Sequence, residues 1–309
     1  MQQRAEILAE PEGSTSNRAS SPVWFAILLM ISVAIWWVPL RATFALALSD
    51  EQFTHILLIL PICAVLMLAD WNPDWKVSAP ASPSAAVLPF AVMTIAVLLN
   101  VVTRRKAALP SDIQVSTSIL ALVICWIASF ALCFGPRTSR HALYPLCFLL
   151  WMVPLPHCVL DRVVSFLQHG SAASAHLFFA AAGIPTAQRG TLLHIPGLTL
   201  EVAPECSSIR SSLMLVVTTM VLAHLLLRST WAKVFVVAVA IPLSVFKNGL
   251  RIFMIGVLAT RVDRSFLTGR LHRQGGVIFL MIALAVILLL IWILRRGEVG
   301  KTSPKASTS

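Results

Sequence analysis

The feature that most limits how this chain can fold is a series of long apolar segments joined by short polar links. About 20 apolar residues in a helix are needed to cross the roughly 30 Å hydrocarbon core of a bilayer. The composition agrees, because 58 % of the 309 residues are hydrophobic and 12 % are charged, against about 25 % charged residues in soluble domains. We therefore predict an all-α integral membrane protein with about eight transmembrane helices.

Links rich in charge, proline or glycine separate the predicted spans. The first span ends at Trp36 and Trp37, which we interpret as an interfacial aromatic pair. The fifth is marginal, because it is short and ends at the helix-breaking residues Pro154 and Pro156. The predicted spans cover residues 22–40, 53–69, 85–102, 113–134, 143–155, 206–227, 231–246 and 275–294.

Three regions follow from this pattern. Residues 1–21 mix charges with serine, proline and glycine and are predicted to form a flexible tail. Residues 22–294 form the membrane domain, and residues 295–309 form a polar, disordered C-terminal tail. No cleavable signal peptide is expected, because the first apolar run follows a polar tail and is long enough to span.

The chain between the fifth and sixth spans differs from the rest. Residues 158–182 have the period of an amphipathic helix, which we expect to lie at the membrane surface. Residues 186–203 contain glycine, proline and alternating apolar residues, which predict a β-hairpin-like loop in water.

The segment 202–212 places a cysteine at the mouth of a predicted membrane helix. Pro204 disfavours helix before Cys206, and mostly apolar residues occupy 209–227. At a helix N-terminus, free N–H groups and the helix dipole favour a thiolate, and Arg210, one turn later, would add to this effect. The alternative is a buried free cysteine beside an arginine that reaches the interface.

The direction of the chain brings three reactive groups to one face of the bilayer. The sixth span starts at Cys206, the seventh returns near Asn248 and Arg251, and the eighth leaves just after His272. We expect the seventh helix to break at residues 247–249. Because a charge at membrane depth is costly, Arg251 is a candidate functional residue; the alternative is that Arg251, like its neighbour Lys247, is an ordinary flanking cation.

The formal net charge of +11 does not indicate nucleic acid, because the basic residues are scattered between apolar runs. They also do not orient the protein, since they divide almost equally between the two faces. No metal or other cofactor is predicted. The six cysteines lack paired spacing, and the helical pair His169 and His176 lacks a third ligand.

An ordered set of motifs in the chain resembles the exosortase/archaeosortase family. The likeness extends from residue 53 to the end of the eighth span. One position departs from the family pattern: Ser208 stands where Cys-Ser-Gly-Ile-Arg would have glycine. The motifs are Phe-Leu-Leu-Trp-Met-Val-Pro-Leu-Pro at 148–156, Ala-Gly-Ile-Pro at 182–185, Val-Ala-Pro-Glu-Cys-Ser-Ser-Ile-Arg at 202–210, Asn-Gly-Leu-Arg at 248–251, and His272.

The resemblance implies a multi-pass cysteine transpeptidase of the cytoplasmic (inner) membrane, with an active site on the outer face. Its substrates would be secreted proteins with a C-terminal Pro-Glu-Pro, transmembrane and basic sorting signal. Cys206 would be the nucleophile, Arg251 and His272 its catalytic partners, and Arg210 and Asn248 supporting residues. The cleaved protein would pass through a thioacyl intermediate to an envelope acceptor such as a lipid amine. The surface helix and hairpin-like loop would then be extracytoplasmic.

Two other functions fit the same sequence. A transporter or channel could use Arg251 and a helix broken at residues 247–249 as its substrate site. A non-catalytic assembly factor of the cell envelope is the second. Dependence on the thiol of Cys206 separates the enzyme from both.

Overall fold

The computed structural model describes the backbone of residues 13–70, 83–106, 108–202, 209–263, 265 and 276–302. The side chains of residues 13–21, 83–85 and 299–302 are not described. Within the predicted membrane domain the fold separates into two compact units, which divide between residues 157 and 158.

In the described part of the chain, six helices are long and apolar enough to cross a membrane. Two further pairs of helices, each bent at a short break, bring the number to eight if each pair counts as one span. This confirms the predicted fold class, an all-α multi-pass membrane protein with one small region of β-structure.

The first unit is built around α5. Of the apolar stretch of α5, 72 % is buried inside the protein, against 17 % for α4, and α5 packs against α1, α2 and α4. Short 3₁₀ turns at Glu51–Phe53 and Leu149–Met152 connect these helices. The helices are α1 (Gly13–Ile35), α2 (Trp37–Ser49), α3 (Ile56–Ala69), α4 (Pro83–Arg105), α5 (Ser111–His141) and α6 (Leu143–Phe148).

The first predicted span, residues 22–40, falls on two helices, because α1 and α2 meet at an angle of 77°. Trp36 lies at the bend and is fully buried, with its indole Nε1 donating a hydrogen bond of 2.8 Å to the carbonyl oxygen of Ser118. Trp37 is 60 % exposed. Trp36 therefore holds the bend against α5 and is not half of an interfacial pair.

Glycine and proline residues determine where the helices at the end of the first unit kink and stop. α5 kinks at Gly135, whose φ of 80° is readily adopted only by glycine. The marginal span predicted over residues 143–155 is not an independent crossing. It forms α6 and a 3₁₀ turn that ends at Met152, because Pro154 and Pro156 cannot continue a helix.

The described residues of the second unit form four helices and a three-stranded antiparallel sheet in the order β1, β2, β3. The predicted hairpin-like loop is confirmed as two successive hairpins, and Gly197 has the positive φ of 79° that suits a Pro-Gly turn. The elements are α7 (His157–Ala181), β1 (Ala187–Arg189), β2 (Leu192–Ile195), β3 (Leu198–Glu201), α8 (Ile209–Leu226), α9 (Thr230–Arg261) and α10 (Gly276–Thr302).

One face of the sheet packs on α7. Along β2, the side chains of Leu193 and Ile195 are buried in a cluster with Phe179. The amide of Gln168 donates a hydrogen bond of 2.9 Å to the carbonyl oxygen of Val202. The chain is therefore anchored to α7 immediately before the segment 203–208.

α7 is the helix predicted over residues 158–182, and its position at the membrane surface stays a prediction. It runs parallel to α9 in close contact, with Gly170 opposite Val245 and Gly256 opposite Phe179. Between them, a Cβ added to Gly249 would lie 2.9 Å from the backbone nitrogen of Ala175 and closer still to Ser174. Glycine is required there because the two backbones approach without room for a side chain.

The predicted break at residues 247–249 is wrong. α9 is one helix of 32 residues, about 48 Å long at 1.5 Å per residue. Lys247 and Asn248 suggested a polar link, but both side chains are buried among neighbouring helices. Their polar atoms bind within the protein, so the helix continues through them.

The helices at the two ends extend beyond residues 22–294, the predicted membrane domain. α10 continues to Thr302, and the predicted disorder of the C-terminal tail stays a prediction. The carboxylate of Glu298 accepts hydrogen bonds from the backbone N–H groups of Arg228 (3.0 Å) and Ser229 (2.9 Å), which ties this end to the start of α9. α1 begins at Gly13, because an established helix extends by one hydrogen bond per residue. Residues 1–12 and 303–309 lie outside the described residues.

We expect Gly249→Ala to destabilise the protein by about 1–3 kcal/mol, since the added methyl group overpacks the contact between α7 and α9. Thermal unfolding in detergent measures the effect. Gly297→Ala is the matched control, because a Cβ there meets no atom within 4 Å and alanine favours a helix by about 1 kcal/mol. Equal effects of the two substitutions would contradict the close contact.

We expect Glu298→Ala to increase hydrogen exchange at the amides of Arg228 and Ser229, because both lose their acceptor. Mass spectrometry of exchanged peptides measures this local opening. Glu298→Gln keeps an acceptor oxygen and should exchange at an intermediate rate. Unchanged exchange in Glu298→Ala would show that the start of α9 does not depend on α10.

Candidate functional site

The structure describes three of the five site residues predicted from the sequence. Asn248 and Arg251 lie in α9, and Arg210 lies in the first turn of α8. Cys206 and His272 lie outside the described residues. Two of the three described site residues therefore lie in α9.

Buried charge singles out one segment of α9. Among the described Asp, Glu, Lys and Arg side chains, only Lys247 and Arg251 are buried, with 5 % and 9 % of their surfaces exposed. They are four residues apart and so lie on one face of the helix. Charged groups inside a membrane protein are costly and are retained mainly where function needs them. The burial of both residues favours a functional role over the interpretation as ordinary flanking cations.

Asn248 connects this segment to α7. Its side chain is 1 % exposed, and its Nδ2 donates a hydrogen bond of 2.9 Å to Oγ of Ser171, which is fully buried. The neighbouring Gly249 allows the close approach of α7 that this bond requires. Asn248 thus has a fixed orientation beside the charged face of α9.

Lys247 connects the same segment to α8. Its Nζ donates a hydrogen bond to Oγ of Ser211, the third residue of α8. Sequence reasoning gave no role to Ser171 or Ser211. The spacing of Lys247 and Arg251 in an apolar segment was the signal that could have linked the two cations.

Arg251 lies beside the start of α10. A Cβ placed on Gly276, the first residue of α10, would lie 3.9 Å from Nη1 of Arg251. The N-terminal ends of α8 and α10 therefore both approach the segment 247–251 of α9. Each helix N-terminus carries about half a positive charge, so the two helix ends add positive charge beside the described cations Lys247 and Arg251. This charge suits a thiolate, a carboxylate or a developing oxyanion.

Arg210 differs from Arg251, because its side chain is exposed. It precedes Ser211, whose hydroxyl binds Lys247. Its predicted effect on Cys206 stays a prediction.

A family model described as transmembrane exosortase matches residues 47–289, which is more than half of the chain. The chain belongs to the transmembrane exosortase family. No curated protein and no solved structure is significantly similar to it. The matched region runs from the end of α2 into α10 and includes the segment 247–251, and membership suggests a membrane transpeptidase.

In this exosortase, the described residues include no group of three or more His, Cys, Asp or Glu side chains that could hold a metal ion. Nδ1 of His169 lies 2.8 Å from the carbonyl oxygen of Ser165 in its own helix. The expectation that the reaction needs no metal or other cofactor stays a prediction.

We expect Asn248→Ala to destabilise the exosortase by about 1–3 kcal/mol, because it leaves the buried hydroxyl of Ser171 without this donor. In the Asn248→Ala background, adding Ser171→Ala should cost much less than Ser171→Ala does alone, since the two groups interact directly. Thermal unfolding of the four proteins in detergent gives the coupling. Additive effects would contradict the bond.

Proposed function

We propose that this exosortase is a membrane cysteine transpeptidase that cleaves the C-terminal sorting signal of secreted proteins and transfers them to a cell-envelope acceptor. The observation that carries the proposal is the buried guanidinium of Arg251 beside the start of α10, the helix that His272 precedes in sequence. Lys247, one turn away, binds the first turn of α8, the helix that Cys206 precedes. A multi-pass membrane protein of the exosortase family supplies the context.

Chain connectivity supports a common site. Cys206 precedes the first residue of α8 by three residues, and His272 precedes the first residue of α10 by four. An extended chain covers at most about 3.6 Å per residue, so these links reach no more than about 11 Å and 14 Å. Arg251 is next to the start of α10, and Lys247 binds the first turn of α8.

The chemistry begins with Cys206 as a thiolate, which the positive helix ends and the cations of α9 favour. Its sulfur attacks the scissile carbonyl carbon, and Arg251 stabilises the oxyanion that forms. His272 donates a proton to the leaving amine as the C–N bond breaks, leaving the protein joined to Cys206 through a thioester.

Transfer completes the reaction. An amine of the acceptor attacks the thioester, His272 accepts the proton from this amine, and the Cys206 thiolate is released as an amide forms. A lipid head-group amine at the outer face of the inner membrane would be such an acceptor. This location follows from the proposed substrates, which have crossed the membrane before their C-terminal signal is cleaved.

The continuous α9 weighs against the transporter alternative, because that function relied on a helix broken at residues 247–249. The enzyme needs a reactive thiol and a non-catalytic assembly factor does not, so dependence on Cys206 distinguishes the two.

In cells that export a protein ending in Pro-Glu-Pro, an apolar helix and an arginine cluster, we expect Cys206→Ala and His272→Ala to abolish cleavage. Arg251→Ala should slow cleavage by about 10²–10³-fold, the usual loss for an oxyanion donor. Immunoblots of precursor and product at matched membrane abundance measure the rates. Cys158→Ala changes an exposed cysteine of α7 and should cleave normally.

Full cleavage by Cys206→Ala would refute the cysteine mechanism. Wild type should also form a covalent adduct with the substrate that neutral hydroxylamine releases, and Cys206→Ala should form none. Because Arg251 is buried, Arg251→Lys serves as a second variant if the alanine protein does not accumulate.

A further inference from the structure

Two adjacent cavities lie in the first unit, where α4 ends and α5 begins. Their volumes are about 200 Å³ and 150 Å³, and a cavity of roughly 150 Å³ can hold a molecule of the size of benzene. Ala42 of α2 and Val115 of α5 line both of them. The larger is called the acidic cavity, because Asp112 lines it, and the smaller the basic cavity, because Arg104 lines it.

The acidic cavity offers several hydrogen-bond acceptors. Oδ2 of Asp112 accepts a hydrogen bond of 2.8 Å from the backbone N–H of His157, and a carboxylate has lone pairs for further donors. Ser111 and Ser116 also line this cavity. The hydroxyl of Ser116 donates to the carbonyl oxygen of Asp112 at 2.8 Å, so its oxygen can still accept. One negative charge and these acceptors together suit a primary ammonium group, which has three N–H donors.

The basic cavity presents a cation of the opposite kind. Arg104 lies in the last turn of α4 and lines the cavity together with Gln114. Nε2 of Gln114 donates a hydrogen bond of 2.8 Å to the carbonyl oxygen of Leu109, which ties the link between α4 and α5 to the start of α5. A guanidinium group has a planar fork of donors that matches the oxygens of a phosphate group.

The position of the cavities along the helices indicates what brings these two groups together. α4 and α5 are both long and apolar enough to cross a membrane. Arg104 is the last but one residue of α4, and Asp112 is the second residue of α5. Charged residues at the ends of membrane spans lie at the level of the lipid head groups. A phosphate joined to an ammonium group at this level is the head group of a zwitterionic phospholipid.

We propose that the two cavities form one binding site for the head group of a phospholipid that carries a primary amine, with its phosphate against Arg104 and its ammonium against Asp112. A choline head group fits less well, because its nitrogen has no N–H to donate to the acidic cavity. The site lies within the first unit, and neither the site nor its test depends on the proposed reaction.

Native mass spectrometry of the detergent-purified exosortase, titrated with one phospholipid at a time, tests the site. Wild type should bind phosphatidylethanolamine at least about tenfold more tightly than phosphatidylcholine or phosphatidylglycerol, because only the first places N–H donors beside a carboxylate. Soluble phosphoethanolamine at equal concentration should not displace the lipid, because it lacks the acyl chains whose burial adds to binding.

Two substitutions should weaken binding in different ways. Arg104→Gln should weaken all three phospholipids by about tenfold or more, because each has a phosphate. Asp112→Asn should remove the preference for phosphatidylethanolamine over phosphatidylcholine, and its amide oxygen can still accept the bond from His157. Arg105→Gln and Asp161→Asn change exposed charges outside the lining of either cavity and should bind as wild type does.

A third variant tests the cavities without removing a charge. Ala42 is exposed and lines both cavities, so Ala42→Phe should weaken the binding of every phospholipid by filling the space between α2 and α5. It also serves if one of the charge variants does not accumulate.

Three results would overturn the inference. One is tight binding of phosphatidylethanolamine that neither Arg104→Gln nor Asp112→Asn changes. Another is a wild-type protein that binds the three phospholipids equally or prefers phosphatidylglycerol, as attraction to the cations Arg104, Arg105 and Lys106 alone would give. The third is displacement of the lipid by soluble phosphoethanolamine at equal concentration, which would show that the site takes a soluble ligand.

Discussion

Charged and amide groups that are buried in a membrane protein lose their contacts with water, which is costly. The packing of the second unit offsets this cost at one segment of α9. Lys247, Asn248 and Arg251 are buried in succession and need partners from the protein. Ser171 of α7 and Ser211 of α8 provide two. α7 can supply its serine because Gly249 lets the two backbones meet, so the polar segment and the helix packing depend on each other.

The two units treat buried polar groups differently. In the first, Trp126 donates to the hydroxyl of Ser32 at 2.7 Å, and Trp36 donates to a backbone carbonyl. Both of these pairs are neutral. In the second unit the buried groups include two cations, Lys247 and Arg251. The buried charges of the described residues therefore lie in the second unit.

An oxyanion forms transiently, so the groups that stabilise it must be fixed before the reaction begins. Arg251 meets this requirement, because it lies in a helix that is held by α7 and α8 and next to the start of α10. The nucleophile and the acid-base group of the proposed mechanism lie in the short segments that precede α8 and α10. Rigid helices would thus position the electrostatic part of the site, while connecting segments carry the groups that exchange bonds and protons.

The sequence by itself determined the membrane class, the positions of most helices, the hairpin-like loop and the order of Cys206, Arg251 and His272. These depend on local properties: apolar length, glycine and proline at turns, and motif order. Tertiary structure alone decided that Trp36 bends the first span, that α9 continues through residues 247–249, and that Lys247 is buried. The physical reason is that a helix ends at a polar or bulky residue or continues through it according to the partners that other helices supply. Those partners lie far away in the sequence.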